Sequence, residues 1–217
     1  MGIGVSLLSE IWEKKGKGKH QYKLQELLEL KGIKCLSTPR LNKIGGGTAI
    51  TVNNEKYIIK EIKFDNPNKL EVTTALLKPR EISQGDFSII AFAVYCPPKS
   101  KKKTKLVDFI TTAYHQSKLK YPEAYFLLGG DINDLDVKRF LSISSMFQQL
   151  VTLPTRNNKI LSVIVTDLHP YYTTPIILPP VQPDIPGVGS PSDHSTPFCT
   201  PKTDWNKSDS KSYKLTS

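Results

Sequence analysis

Leu127-Leu128-Gly129-Gly130-Asp131-Ile132-Asn133-Asp134-Leu135-Asp136 runs from an apolar segment into two glycines, then into an acid and an amide two positions apart. Residues 124–128 followed by Gly-Gly read as a buried strand ending in a tight turn. In extended backbone, residues i and i+2 point the same way, so Asp131 and Asn133 are expected to converge on one target. Ligands usually sit at the carboxyl ends of strands in an α/β sheet. The stretch is therefore a candidate active-site edge. The plain alternative is an Asx turn capping a helix over 135–147, because Asp and Asn are the usual residues of both.

Outward from this stretch, residues 3–8, 33–37, 48–52, 56–64, 70–78 and 87–95 read as strands. The segment 87–95 is almost wholly apolar, as a buried central strand would be. Asn53-Asn54 supplies a hairpin turn between 48–52 and 56–64. Helical spacing predicts a helix over 21–30, through Leu24, Leu27 and Leu28, with Gly32 where it would stop. A second is predicted over 106–119, through Leu106, Phe109, Ile110 and Ala113. Downstream, 160–168, 176–178 and 194–199 read as strands. The pattern is one domain of many strands and few helices, α+β or layered α/β. A polar, Lys- and Ser-rich tail is expected over 201–217.

A chain of 217 residues with 38% hydrophobic content can bury one large core. It contains no long uncharged apolar span, so no transmembrane helix is expected. The first eight residues read as a strand rather than a signal peptide. Cys35, Cys96 and Cys199 are odd in number and far apart, with neither zinc spacing nor a disulfide framework. That points to a reducing, intracellular compartment, with the nucleus open to it. The net charge of +10 favours a polyanionic partner such as nucleic acid. Five lysines fall within residues 99–105, which read first as a solvated loop and second as a phosphate contact.

Three further constellations bear on chemistry. Glu10 follows an apolar strand, and a carboxylate there can coordinate a hard divalent cation, although an ordinary loop glutamate has the same signature. Tyr95-Cys96-Pro97-Pro98 ends a buried strand, where a phenol can hydrogen-bond a phosphate oxygen or simply edge the core. Ser192-Asp193-His194-Ser195 is more specific. A Pro/Gly-rich loop delivers an acid beside a histidine, the residue whose proton affinity suits general-base work near neutral pH.

Taken in order, Ser9-Glu10-Ile11-Trp12, Gly45-Gly46-Gly47-Thr48-Ala49-Ile50, Tyr95-Cys96-Pro97-Pro98, Gly130-Asp131-Ile132-Asn133 and Ser192-Asp193-His194 resemble the endonuclease/exonuclease/phosphatase superfamily. Arg40 before the glycines, Leu70-Glu71-Val72 and Pro154-Thr155-Arg156 add a resemblance to endonuclease domains of non-LTR (LINE-type) retrotransposons. The resemblance spans residues 3–200. It implies a four-layered sandwich, two packed and mostly antiparallel β-sheets flanked by helices. It also implies metal-assisted phosphodiester hydrolysis with Mg²⁺ or Mn²⁺, DNA as partner, no membrane and no small-molecule cofactor. Glu10 and Asp193 would serve the metal. His194 would be the base or transition-state stabiliser, Asp131 and Asn133 would handle the reacting oxygens, and Tyr95 would contact the phosphate. Arg40 and Arg156 would bind nucleic acid.

The chain departs from the family pattern in two places. Only nine residues precede Glu10, so the family's asparagine-bearing first strand is expected to be missing from a domain truncated at its N-terminus. Ser162 stands where the family usually has the aspartate that orients the histidine. Asp167 is an odd number of positions further along and should face the other side. Reduced or absent turnover is therefore expected. The competing functions are a non-catalytic nucleic-acid-binding remnant and a superfamily phosphatase.

Overall fold

The structure is a computed structural model and describes residues 4–11, 24–40, 46–80, 87–180 and 192–202. Three strands, β1 (Val5–Ser9), β2 (Ile33–Thr38) and β3 (Thr48–Asn53), form an antiparallel sheet in the order β1-β3-β2. Helix α1 (Leu24–Glu29) lies against β2. The second sheet comprises β4 (Tyr57–Glu61), β5 (Glu71–Pro79), β6 (Ile89–Tyr95), β7 (Tyr125–Asp131), β8 (Gln148–Gln149) and β9 (Ser162–Thr166). Its order is β4-β5-β6-β7-β9-β8, and every pair is antiparallel except β6 with β7. A parallel neighbour needs a crossover. Helix α2 (Lys103–Lys120) supplies it.

The two sheets pack face to face, and the alternation along β6 explains its unbroken apolar run. Ile89, Ala91 and Ala93 enter the layer between the sheets, beside Ile50, Val52, Ala75 and Leu77. Ile90, Phe92 and Val94 face the other way, toward Leu106 and Ile110 of α2. On that outer side Phe126 stacks on Phe147 with ring centroids 4.3 Å apart, and Tyr114 meets both rings edge-on. Phe92, Phe126 and Phe140 are fully enclosed. Each contributes roughly 2–3 kcal/mol by leaving water. The strands that carry the candidate site are thus clamped on both faces, as the expected layered α/β sandwich requires.

Three sequence expectations need correction. The helix predicted over 135–147 shrinks to α3 (Lys138–Leu141). The run Ser142-Ile143-Ser144-Ser145 diverts it, because short hydroxyl side chains compete for backbone bonds: Ser142 donates to the Arg139 carbonyl (3.0 Å), and Ser144 accepts from Met146 N–H (3.3 Å). The Asn53-Asn54 turn forms, with Lys56 N–H donating to the Asn53 carbonyl (3.1 Å), yet it makes no hairpin. It hands the chain from β3 in the small sheet to β4 at the edge of the large one, since among the described residues β4 pairs only with β5. Turn chemistry reverses the chain without choosing the strand's partner. Finally, the strand predicted over 194–199 is the short β11 (Thr196–Phe198), paired with β10 (Ile176–Leu178). Of the expected tail, Pro201 bridges to Tyr172, and 203–217 lie outside the described residues.

Candidate active site

Glu71, Tyr95, Asp131 and Ser162 form one cross-strand row. The register of β5, β6, β7 and β9 sets them side by side at a single end of the large sheet. The small sheet ends at the same place. Thr48 pairs with both Ser9 and Thr38, and the Thr73 hydroxyl links the sheets through Thr38 (2.9 Å) and Thr48 (2.8 Å). Glu10 and Arg40 leave β1 and β2 at this shared edge.

On the Glu71 side, Arg40 Nε donates to Glu71 Oε1 (2.9 Å), and the Gly47 amide donates to Oε2 (2.6 Å). A Cβ at Gly46 would lie 2.3 Å from both Arg40 Nε and Glu71 Oε2, so the glycine run leaves room for this ion pair. The guanidinium carbon sits 5.4 Å from the centre of the Tyr95 ring, within cation–π range. Burial works against the Arg40 charge, but the bond and charge of Glu71 outweigh it and hold the proton more tightly than usual. The Tyr95 hydroxyl donates to Glu10 Oε1. Burial, followed by that bond and the Glu10 charge, raises the phenol well above its ordinary range, so Tyr95 remains an O–H donor. Glu10 itself has φ +56°, a left-handed backbone at the point where its carboxylate turns into the site.

Asp131 and Asn133 converge, though by a turn rather than by an extended strand. β7 ends at Asp131, and Asn133 has φ +48°. The Asn133 amide N–H donates to Asp131 Oδ1 (2.9 Å), and its Nδ2 donates to Asp131 Oδ2 (2.8 Å) and the Cys96 carbonyl (3.1 Å). Burial raises the Asp131 carboxyl, the Asn133 and His194 partners pull it down, and the Glu10 charge pushes it up again, for a net rise.

His194 stands over the other end of the row. Its Nδ1 faces Ser162 Oγ (3.4 Å), while Nε2 lies 3.7 Å from both Asp131 Oδ2 and Asp193 Oδ1 and 3.2 Å from Arg156 Nη1. Arg156 also pairs through Nη2 with Asp193. Asp167, as its position predicts, faces away and accepts the Phe126 amide (2.8 Å). The residues singled out from sequence therefore form one connected cluster. Arg40 reaches it through Tyr95 and Glu71, and Arg156 through His194 and Asp193. Sequence reasoning gives Glu71 no role beyond its strand; the signal that could have found one is a lone acid opening an apolar strand. Thr155 is another support: its buried hydroxyl accepts the amides of Leu161 and Ser162 (both 3.0 Å), and its carbonyl accepts the Ser195 amide (2.8 Å).

The structure is similar to solved structures of proteins that act on phosphate esters and nucleic acids. A mannosyl-6-phosphatase from Bacteroides thetaiotaomicron matches at TM-score 0.64 and 14% identity, covering 92% of this chain and 85% of that one. A 3′-5′ exonuclease from Neisseria meningitidis matches at 0.60 and 15%, covering 93% and 90%. The endonuclease domain of TRAS1, a telomere-specific non-LTR retrotransposon, matches at 0.54 and 13%, covering 88% and 82%. This chain has the endonuclease/exonuclease/phosphatase fold. No family model matches the sequence, and no curated protein matches it.

In this endonuclease/exonuclease/phosphatase fold the candidate cluster is sparse in metal ligands. Among the described residues, no three His, Cys, Asp or Glu side chains gather into a metal-holding group. Magnesium needs less, since it is commonly held by one or two carboxylates, with substrate phosphate and water completing the octahedron. Glu10 and Asp131 fit that demand. Burial first, and then the Glu10 charge, raises the Asp131 carboxyl, a cost that a dication beside them would relieve. Asp193 is held by Arg156.

Proposed function

We propose that this chain is a metal-dependent phosphodiesterase of the DNA-endonuclease type, derived from a retrotransposon and reduced in turnover. The observation that carries the reading is the row Tyr95–Asp131–Ser162 with His194 set against its far end. A phenol O–H, a buried carboxylate with its attendant amide, and an imidazole meet at the strand ends. Tyr95 would bind a phosphate oxygen, and so would Asn133 once its side-chain amide turns from Asp131 and the Cys96 carbonyl. His194 would accept the proton of an attacking water, and Asp131 would align that water or the leaving oxygen. Magnesium held by Glu10 and Asp131, joined by Asp193, would offset negative charge developing on the phosphate. Ser162 is the reason for expecting slow turnover, because a hydroxyl cannot stabilise an imidazolium as a carboxylate does.

The basic loop before α2 favours a nucleic acid over a small phosphorylated sugar. Asp134, next to Asn133, pairs with Lys103 Nζ (2.6 Å) and accepts the Lys99 amide (3.2 Å), which pins this lysine-rich segment beside the cluster. With DNA as substrate the chain works inside the cell, in the nucleus where there is one. Among the described residues, no helix is long and apolar enough to cross a membrane. A second reading, a DNA-binding module without turnover, rests on the same Ser162.

Supercoiled-plasmid nicking in magnesium tests the proposal. Wild type is expected to nick slowly, with the activity lost in His194→Ala and in excess EDTA. Salt-dependent DNA binding with no nicking selects the second reading. Nicking that survives His194→Ala overturns the assignment of the base.

A further inference from the structure

Arg156 lies on the two groups that the proposed reaction needs free. It opens a tight turn in which Lys159 N–H donates to the Arg156 carbonyl (2.8 Å), and Asn157 and Asn158 take φ +45° and +58°. Thr155 ties that turn to β9 through its hydroxyl and to the His194 loop through its carbonyl. The base of the arginine is thus fixed, and its guanidinium reaches His194 Nε2 (3.2 Å) with one nitrogen and Asp193 with the other. A guanidinium carries only N–H donors. Nε2 must therefore accept, and the ring proton of neutral His194 sits on Nδ1, facing Ser162 Oγ at 3.4 Å. This is the correct tautomer for a base acting through Nε2, with its lone pair covered.

We propose that Arg156 is a phosphate-released cap. In the free protein it occupies the His194 lone pair and neutralises Asp193. A phosphodiester then draws the guanidinium onto its own oxygens, uncovering the base and the acid together. A phosphodiester offers two oxygens of one group to both prongs of the planar donor, whereas His194 and Asp193 each take a single prong. Arg156 is therefore a positioning residue that couples substrate arrival to exposure of the base. This inference deepens the phosphodiesterase reading and rests on it for the identity of the releasing ligand.

The test follows the ring nitrogens of His194 in ¹⁵N-histidine-labelled full-length chain, with His194→Gln assigning the signal among the four histidines. Spectra are taken in EDTA, at a pH above which the ring nitrogen shifts no longer change. Free wild type is expected in the Nδ1–H form. A duplex oligonucleotide should shift the Nε2 resonance, and Arg156→Met should give a predominantly Nε2–H ring that DNA no longer moves. The wild-type titration needs no variant and stands even if Arg156→Met folds poorly. If wild type starts in the Nε2–H form, or if DNA binds without moving the ring signals, the cap is overturned. If DNA does not bind wild type, the phosphodiester reading fails and with it the release step, while the free-state tautomer still reports whether Arg156 covers the ring.

Discussion

The hydroxyl of Ser162 lies 3.4 Å from Nδ1 of His194, and the nearby acid on the same segment, Asp167, spends its carboxylate on the Phe126 amide. A neutral group therefore addresses the ring where a charge would stabilise its protonated form. Ser162→Asp is expected to raise the single-turnover nicking rate at least about tenfold. The ceiling is about 10⁴, the cost of losing an orienting carboxylate in a serine protease. The same change should lower the melting temperature, because residue 162 pairs across strands with Asp131 and like charges in that position repel. An unchanged rate in a folded variant would remove Ser162 from the explanation of slow turnover.

Glu71 holds Arg40 and the Gly47 amide at once, and Arg40 in turn lies over Tyr95. Glu71→Ala leaves a half-buried guanidinium and a buried amide without their acceptor. It is expected to cost about 2 kcal/mol in urea denaturation, the usual range for bonds to a charged group. Glu71→Gln keeps an acceptor for one of them and should recover part of that loss. If Glu71→Ala unfolds at the wild-type midpoint, the pair is ornamental.

Gly130 has φ +142°, and a Cβ there would stand 1.9 Å from the Val94 carbonyl oxygen. Neither backbone yields easily, since β6 and β7 are paired along their whole length and both carry side chains packed into the core on each side of the sheet. Gly130→Ala should destabilise the fold by more than about 4 kcal/mol or prevent it, in the class of strained-backbone changes. A soluble Gly130→Ala with a near-wild-type denaturation midpoint would refute the close approach.

These positions mark what sequence can and cannot disclose. The strand ends at Tyr95 and Asp131 are legible because an apolar run stopping at a polar residue is a local signal. The layered class follows from the number of such runs. Register is not local: that Glu71 and Ser162 fall in the same row depends on how β5 and β9 slide against their neighbours. Asn133 converges on Asp131 through a left-handed turn that strand periodicity does not encode. The helix expected over 135–147 is cut short where the serines divert the backbone. Arg156 reads from sequence as a cation for DNA, and only the folded turn brings it against His194 and Asp193.

Asp167 gives a pH dependence whose sign can be worked out. Burial raises its carboxyl above the ordinary value, a rise that the Phe126 amide and Lys118 only partly oppose. A raised carboxyl holds its proton more readily in the folded than in the unfolded chain. Its contribution to stability is therefore full below the unfolded pKa and is lost as pH climbs through the folded one. Asp167→Asn can keep the acceptor for Phe126 and removes the charge. Its melting temperature should gain on wild type as pH rises from acid to neutral. A constant difference between the two proteins across that range would show that the carboxyl titrates as an ordinary one.

Lys101, Lys102 and Lys105 are exposed on the segment that Asp134 pins beside Asn133. Lys102 Nζ also reaches the Asn68 carbonyl (2.7 Å), which leaves Lys101 and Lys105 as the freer cations of the three. If the segment tracks a DNA backbone, each phosphate that a lysine neutralises releases a counterion and steepens the slope of log K against log salt by about 0.9. Lys101→Gln with Lys105→Gln should therefore shallow that slope by up to about 1.8 for duplex DNA. Hydrolysis of a small phosphate monoester, which has no neighbouring phosphates for these lysines to reach, should be untouched by the same double change. A wild-type salt slope in the double variant would return these lysines to the role of a solvated loop. The nucleic-acid reading would then rest on Arg40 and Arg156 alone.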